Sequence, residues 1–172
     1  MVNDALKTYY EVSQDKRRSK YKTASHTPAS NSETLKSLWK EHQNVIDHLK
    51  TLNTTPDAYS NFSFMDLKIK IAGILFTECV FCPRRCQVDR RVKPGVCGVT
   101  EPLVTSEFMH LGEEALLIPS HTIFFAGCNL KCVYCQNSDI SQNPKLGMKV
   151  SPSTLARRID LRRREGSRNV NF

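Results

Sequence analysis

Three cysteines, Cys128, Cys132 and Cys135, stand at C-x3-C-x2-C spacing. Thiols this close converge on one centre when a metal is present. A structural zinc takes four protein ligands, and a [4Fe–4S] cluster also takes four cysteines. Here three stand together with no fourth nearby, which leaves one position open to an outside ligand. The element that must place them lies just upstream. Ile123-Phe124-Phe125-Ala126 is an apolar run of the β-branched and aromatic kind that strands favour, and Gly127 breaks it. The thiols therefore read as a loop past the end of a buried strand, where α/β sheets and barrels place their chemistry.

The stretch from Thr122 to Ser141 resembles the radical S-adenosylmethionine superfamily, whose signature is C-x3-C-x2-C with an aromatic before the last cysteine; Tyr134 holds that place. The closer resemblance is to a group related to pyruvate formate-lyase activating enzyme, with its similar TIFF-x-GCN-x-x-C-x-x-CQN-x-x-IS run. The resemblance implies a [4Fe–4S] cluster on Cys128, Cys132 and Cys135. Its fourth iron would be chelated by S-adenosyl-L-methionine, which is cleaved reductively to a 5′-deoxyadenosyl radical. It implies Tyr134 near the adenine, Asn129 and Gln136 lining the site, an electron donor, and a protein or small-molecule substrate that it does not name. His121 stands where relatives often have Gly.

A second constellation precedes the first. Cys79, Cys82, Cys86 and Cys97 follow C-x2-C-x3-C-x10-C spacing, with Pro83, Pro94, Gly95 and Gly98 punctuating the segment into tight turns. Four soft donors on a turn-rich loop suit zinc or an iron–sulfur cluster, and the spacing leaves the metal open. The radical group resembles this stretch too, through C-x2-C-P-x2-C-x-V-x-R. The role of the segment stays open among structural, electron-transferring and redox-switching.

The 172 residues are 40% hydrophobic and 24% charged, a globular composition. No run approaches the roughly 20 apolar residues of a membrane span, and the N-terminus lacks the apolar core of a secretory signal. The reading is a cytoplasmic chain whose seven cysteines are ligands, not disulfides. The formal charge of +8 permits an acidic or nucleic-acid partner. A zinc- or cluster-stabilised basic binding module is therefore the competing function.

The elements follow in order. Residues 1–31 are polar, an extension with a short helix near Ala5 to Val12 and a linker-like stretch from Ser25 to Ser32. Thr34 to Leu52 carries an apolar stripe at helical spacing, including Leu35, Leu38, Val45, Ile46, Leu49 and Leu52; His42 and His48 read as surface or packed residues. Phe64 to Thr77 reads as a helix that delivers Cys79 to a compact knuckle, with a strand as the alternative because Leu67-Lys68-Ile69-Lys70-Ile71 also alternates; Leu103 to His110 reads as a strand. His110-Leu111-Gly112-Glu113-Glu114, similar to an H-x-G-E-E stretch of the same group, offers a His and two carboxylates for contact with cofactor or substrate, but reads first as an ordinary turn. Ser151-Pro152 opens a helix, Gly166 ends it, and Asn169 to Phe172 begins another strand. The six arginines from Arg157 to Arg168 read as a solvated face.

The expected fold is α/β in three parts: a helical N-terminal extension over 1–63, a cysteine-rich metal-binding segment over 64–100, and a truncated start of a radical barrel over 101–172. Relatives continue from a similar N-x-N-F strand into a Gly-Gly-acidic turn that holds the amino group of S-adenosylmethionine, and this sequence has no such turn. Eight β-α units take about 250 residues. The chain thus reads as an incomplete, partial TIM-type barrel, with a second chain as a candidate source of the rest. An unfinished sheet of this kind is expected to leave the Ile123 strand at an edge.

Overall fold

A computed structural model describes residues 4–51 and 59–172. Leu52, Asn53 and the Thr54–Asp57 stop of the long helix lie outside the described residues. The chain forms two compact units, Met1–Phe76 and Thr77–Phe172.

The first unit is helical. A 3-10 turn at Asp4–Leu6 leads into α1 (Lys7–Ser13), followed by α2 (Lys20–His26), α3 (Leu35–Thr51) and α4 (Phe64–Thr77). The stripe read from α3 is the face it buries: Leu38 is fully buried and Val45 nearly so. They join Ala24, Phe64, Leu67 and Ile71 in one core, with Leu35, Ile46 and Leu49 at its margin. Thr34 caps α3, its hydroxyl accepting from the Ser37 amide at 3.2 Å. His42 packs between Trp39 and Phe64. The region from 20 to 31 is more than an extension: α2 buries Ala24 and His26. The Thr27 carbonyl accepts from the Phe64 amide at 2.8 Å, and the Ala29 amide donates to Phe62 at 3.0 Å. A seven-residue helix is too short to stand alone in water, so tertiary burial makes it.

Helix α4 starts with a capping box. The Ser63 hydroxyl accepts from the Asp66 amide at 3.2 Å, while the Asp66 carboxylate takes the Ser63 amide at 2.8 Å and hydroxyl at 2.6 Å. Apolar residues at Phe64, Leu67 and Ile71 recur on one face and are buried.

The second unit is mixed α/β, a four-stranded open sheet in the order β3-β1-β2-β4. β1 (Leu103–His110) and β2 (Ser120–Phe125) pair antiparallel, and β3 (Met148–Lys149) pairs antiparallel with β1. β4 (Asn169–Asn171) pairs parallel with β2. A short α5 (Ser138–Ser141) follows the three-cysteine loop, and α6 (Pro152–Arg164) crosses from β3 to β4. Ser151 caps α6 by accepting from the Thr154 amide at 3.1 Å, with Pro152 in the first turn.

The α/β class holds, and the described residues form an open sheet in which one strand pair is parallel. The Ile123 strand is not at an edge: β2 has β1 on one side and β4 on the other. The edges are the short β3 and β4. The reason is the hairpin of β1 onto β2, which adds a partner that a purely parallel order does not supply.

The core beneath the sheet is Val104, Ile123 and Val150, with Phe125, Leu155, Ile159 and Val170 around it. Where the apolar stripe of α6 fades, charge takes over. Arg158 and Arg162 turn towards Glu107 at 3.7 and 3.8 Å, and Glu107 lies 3.5 Å from the fully buried His121. Two of the six arginines therefore face the sheet; Arg163 and Arg164 pair with Asp160 on their own helix.

The bonds from Ser63 hold the Asp66 carboxyl below its ordinary value. A carboxyl depressed by folding stabilises the fold above its unfolded pKa, about 3.9, and that contribution is lost as pH falls through the lower folded value. Denaturant midpoints of the wild type and Asp66→Asn, followed from neutral pH to about pH 2, should therefore differ most at neutral pH and converge in acid. A constant gap across that range would rule out the carboxylate as the source.

Candidate functional site

The three-cysteine loop begins where β2 runs out. Ile123 and Ala126 are buried, and the Ala126 amide still donates to the Leu103 carbonyl at 2.7 Å. Gly127 then takes φ +82°, a left-handed conformation that costs other residues strain. Its amide donates to Ile140 at 3.1 Å, closing the loop back from α5. A Cβ at Gly127 would fall against the Val99 side chain and 2.9 Å from the Cys97 carbonyl oxygen. The turn that launches the loop is thus packed directly on the end of the second cysteine segment.

Within the loop, the Cys135 amide donates to the Cys132 carbonyl at 3.2 Å, making a tight turn around Val133 and Tyr134. Those two residues face outward, 100% and 82% exposed, whereas Cys128, Cys132 and Cys135 are half-buried. The Leu130 amide donates to Cys128 Sγ at 3.4 Å, and Cys135 Sγ lies 3.6 Å from Ser141 Oγ. Gln142 braces the loop by donating to the Leu130 carbonyl at 3.0 Å. Gln136 is exposed and Asn129 half-buried.

The four-cysteine segment folds as a knuckle. The Cys79 amide donates to Val88 and its carbonyl accepts from Gln87, both at 3.0 Å. Arg85 and Gln87 adopt positive φ to make the turn between. A second turn, Gly95 to Gly98, brings the Val96 amide to Cys86 Sγ at 3.4 Å. Cys79 is buried, and Arg90 donates to its sulfur at 3.6 Å. Burial pushes the Cys79 thiol up, but the Arg90 hydrogen bond, the Phe81 amide and the Arg90 charge outweigh it and hold the thiol below its ordinary value.

Cys79, Cys82, Cys86 and Cys97 all line one cavity of about 330 Å³, with Gly127 and Asn129 on its wall. Arg84 ties the two segments by donating to the Asn129 carbonyl at 3.4 Å. All seven cysteines are free of disulfides. Among the described residues, no three Cys, His, Asp or Glu side chains are gathered tightly enough to hold a single metal ion. The structure therefore brings the four cysteines to one cavity and the three cysteines to one loop beside it. Asn129 belongs to both, whereas Tyr134 and Gln136 lie on the solvent side. The sequence marked Gly127 as the end of an apolar run and Arg90 within the C-x-V-x-R stretch, but passed over Arg84; its legible signal was the basic pair between thiols in Cys82-Pro-Arg-Arg-Cys86.

At the other end of the β1–β2 hairpin, His110 Nδ1 lies 3.7 Å from Glu113, whose carboxylate accepts from Asn171 at 2.8 Å. His110 and Glu113 thus tie the hairpin turn to β4.

No protein-family model matches this chain, and no solved structure matches it. An uncharacterised protein of Methanocaldococcus jannaschii is 42% identical over 146 residues, which is 80% of this chain and 43% of that protein. The chain spans less than half the length of this relative. Among the described residues no helix is long and apolar enough to cross a membrane.

Two glycine substitutions separate strain from collision. Gly166 has φ +104° with open space around it, whereas Gly127 combines positive φ with the Val99 and Cys97 contacts. Strain of this kind costs about 1–3 kcal/mol. In urea denaturation, Gly127→Ala should therefore lose clearly more stability than Gly166→Ala. Equal losses would mean that the close approach at Gly127 is not rigid.

Proposed function

We propose that this chain carries the cluster-binding portion of a radical S-adenosylmethionine protein of the kind related to pyruvate formate-lyase activating enzyme. The observation that carries the reading is the placement of three unpaired, half-buried thiols just past the carboxyl end of β2, the strand that pairs in parallel with β4. The donor set fits a cluster with one iron left open: three soft ligands on eight residues, with a backbone amide aimed at one sulfur and a hydroxyl beside another. The chemistry such a cluster supplies when bound is one-electron reductive cleavage of S-adenosylmethionine to methionine and a 5′-deoxyadenosyl radical.

The chain's own residues do the holding. Cys128, Cys132 and Cys135 are the ligands. Gly127 sets the direction of the loop, Arg84 fixes the Asn129 peptide, and Gln142 braces the far side. Tyr134 stands in solvent on the outer turn, and in this reading an adenine arriving from outside meets it there. β2, α6 and β4 then make the first β-α-β unit of a barrel, to be continued at β4 by further units on the same or a second chain. Water is excluded from the reacting centre only by such closure. An electron donor and a substrate complete the reaction, and the cytoplasm is the compartment that suits free thiols in this number.

Anaerobic reconstitution with ferrous iron and sulfide tests the loop directly. Cys132→Ala should lose a cluster's worth of iron relative to the unmodified chain, with matching loss of acid-labile sulfide. Unchanged iron in that variant would remove the three-cysteine loop from consideration as a cluster site.

A further inference from the structure

We infer that the cavity walled by Cys79, Cys82, Cys86 and Cys97 is the site of a second iron–sulfur cluster. Three observations carry this independently of the three-cysteine loop. First, the four thiols line one cavity of about 330 Å³. An inorganic core of several iron and sulfide ions needs room of that kind among its ligands.

Second, the donors are only soft ones. Among the described residues, no Asp, Glu or His lines the cavity. Its other walls are mostly apolar, with Val96, Val99, Leu103 and Phe125 among them. Thiolate-only surroundings with an apolar shell select soft-ligand centres, iron–sulfur clusters among them.

Third, cationic and amide donors are already directed at the sulfurs. Arg90 donates to Cys79 at 3.6 Å, the Val96 amide points at Cys86 at 3.4 Å, and Arg84 joins Arg90 on the wall. A core ligated by four thiolates is anionic, and N–H···S bonds with nearby guanidinium groups offset that charge in an apolar pocket. Gly95 completes the fit: a Cβ there would lie 3.1 Å from Cys86 Sγ, so glycine lets the chain pass close behind that ligand.

The test uses the full chain with Cys128, Cys132 and Cys135 all replaced by Ser, so that only the four cavity thiols remain. After anaerobic reconstitution with ferrous iron and sulfide, iron, acid-labile sulfide and zinc are quantified, and the dithionite-reduced protein is examined by electron paramagnetic resonance. The inference expects iron and sulfide in equal amounts and a cluster signal, both falling to background when Cys82→Ser is added. Zinc retained with no sulfide, or no metal at all in a folded protein, would overturn it. If circular dichroism shows the triple variant unfolded, Cys82→Ser alone in the otherwise unmodified chain decides. The inference expects part of the iron to go and part to stay, and no loss would overturn it. Full cluster content in the triple variant, equal to that of the unmodified chain, would uphold the cavity site while removing the three-cysteine loop as a second one.

Discussion

The close approach at Gly127 is the constraint on which the second unit depends. A buried strand delivers the chain to this point, and the loop that follows must turn sharply without leaving the protein. The turn works because glycine tolerates φ +82° and because no side chain separates its backbone from Val99 and Cys97. Pro144 lies close to both Gly127 and Gly98. Two cysteine segments distant in sequence are thereby pressed together at one sheet end, and Arg84 adds a polar tie to the Asn129 carbonyl. Neither segment has an extensive apolar core of its own. Each borrows rigidity from the other and from the strand end beneath them.

The sheet supplies a fixed platform for this contact. β2 sits in its interior, buried on the α6 side through Ile123 and satisfied on both edges by β1 and β4. Along the same face, His121 is buried beside Glu107, and Arg158 and Arg162 approach that carboxylate from α6. Half-buried charge of this kind adds little net stability, whereas a one-residue slip of β2 would turn Ile123 and His121 to the other face of the sheet. The register that points Ile123 into the core also sends the chain past Ala126 to the cysteine loop. Packing at the middle of the strand and chemistry at its end are thus set by one alignment.

The two cysteine groups differ more in their neighbours than in their burial. Cys79 is buried, and Cys82, Cys86 and Cys97 are half-buried around one cavity, with N–H donors on Cys79 and Cys86. Cys128, Cys132 and Cys135 are half-buried too, with the Leu130 amide on Cys128 and the Ser141 hydroxyl beside Cys135. They stand on a turn whose outer residues, Val133 and Tyr134, lie in solvent.

Much was legible from the residues alone. Periodicity marked α3, because a long apolar stripe has few other ways to be buried, whereas over Phe64–Thr77 helical spacing and alternation competed and the helix is what forms. Ser151-Pro152 and Gly166 marked the ends of α6, because their backbone preferences are local. The thiol spacings marked both cysteine groups, because ligand chemistry depends on residue type. Other features came from contacts made at long range. Helix α2 is polar and short, and forms only because Ala24 and His26 find a core supplied by α3 and α4. β3 is two residues long and has no pattern of its own; its pairing with β1 rests on Leu103 and Val104 being in place. The interior position of β2, the turn of Arg158 and Arg162 towards Glu107, and the shared wall between the cysteine groups were likewise decided by tertiary structure. Spacing along a chain says which atoms can ligate, but only packing says which of them face the same cavity.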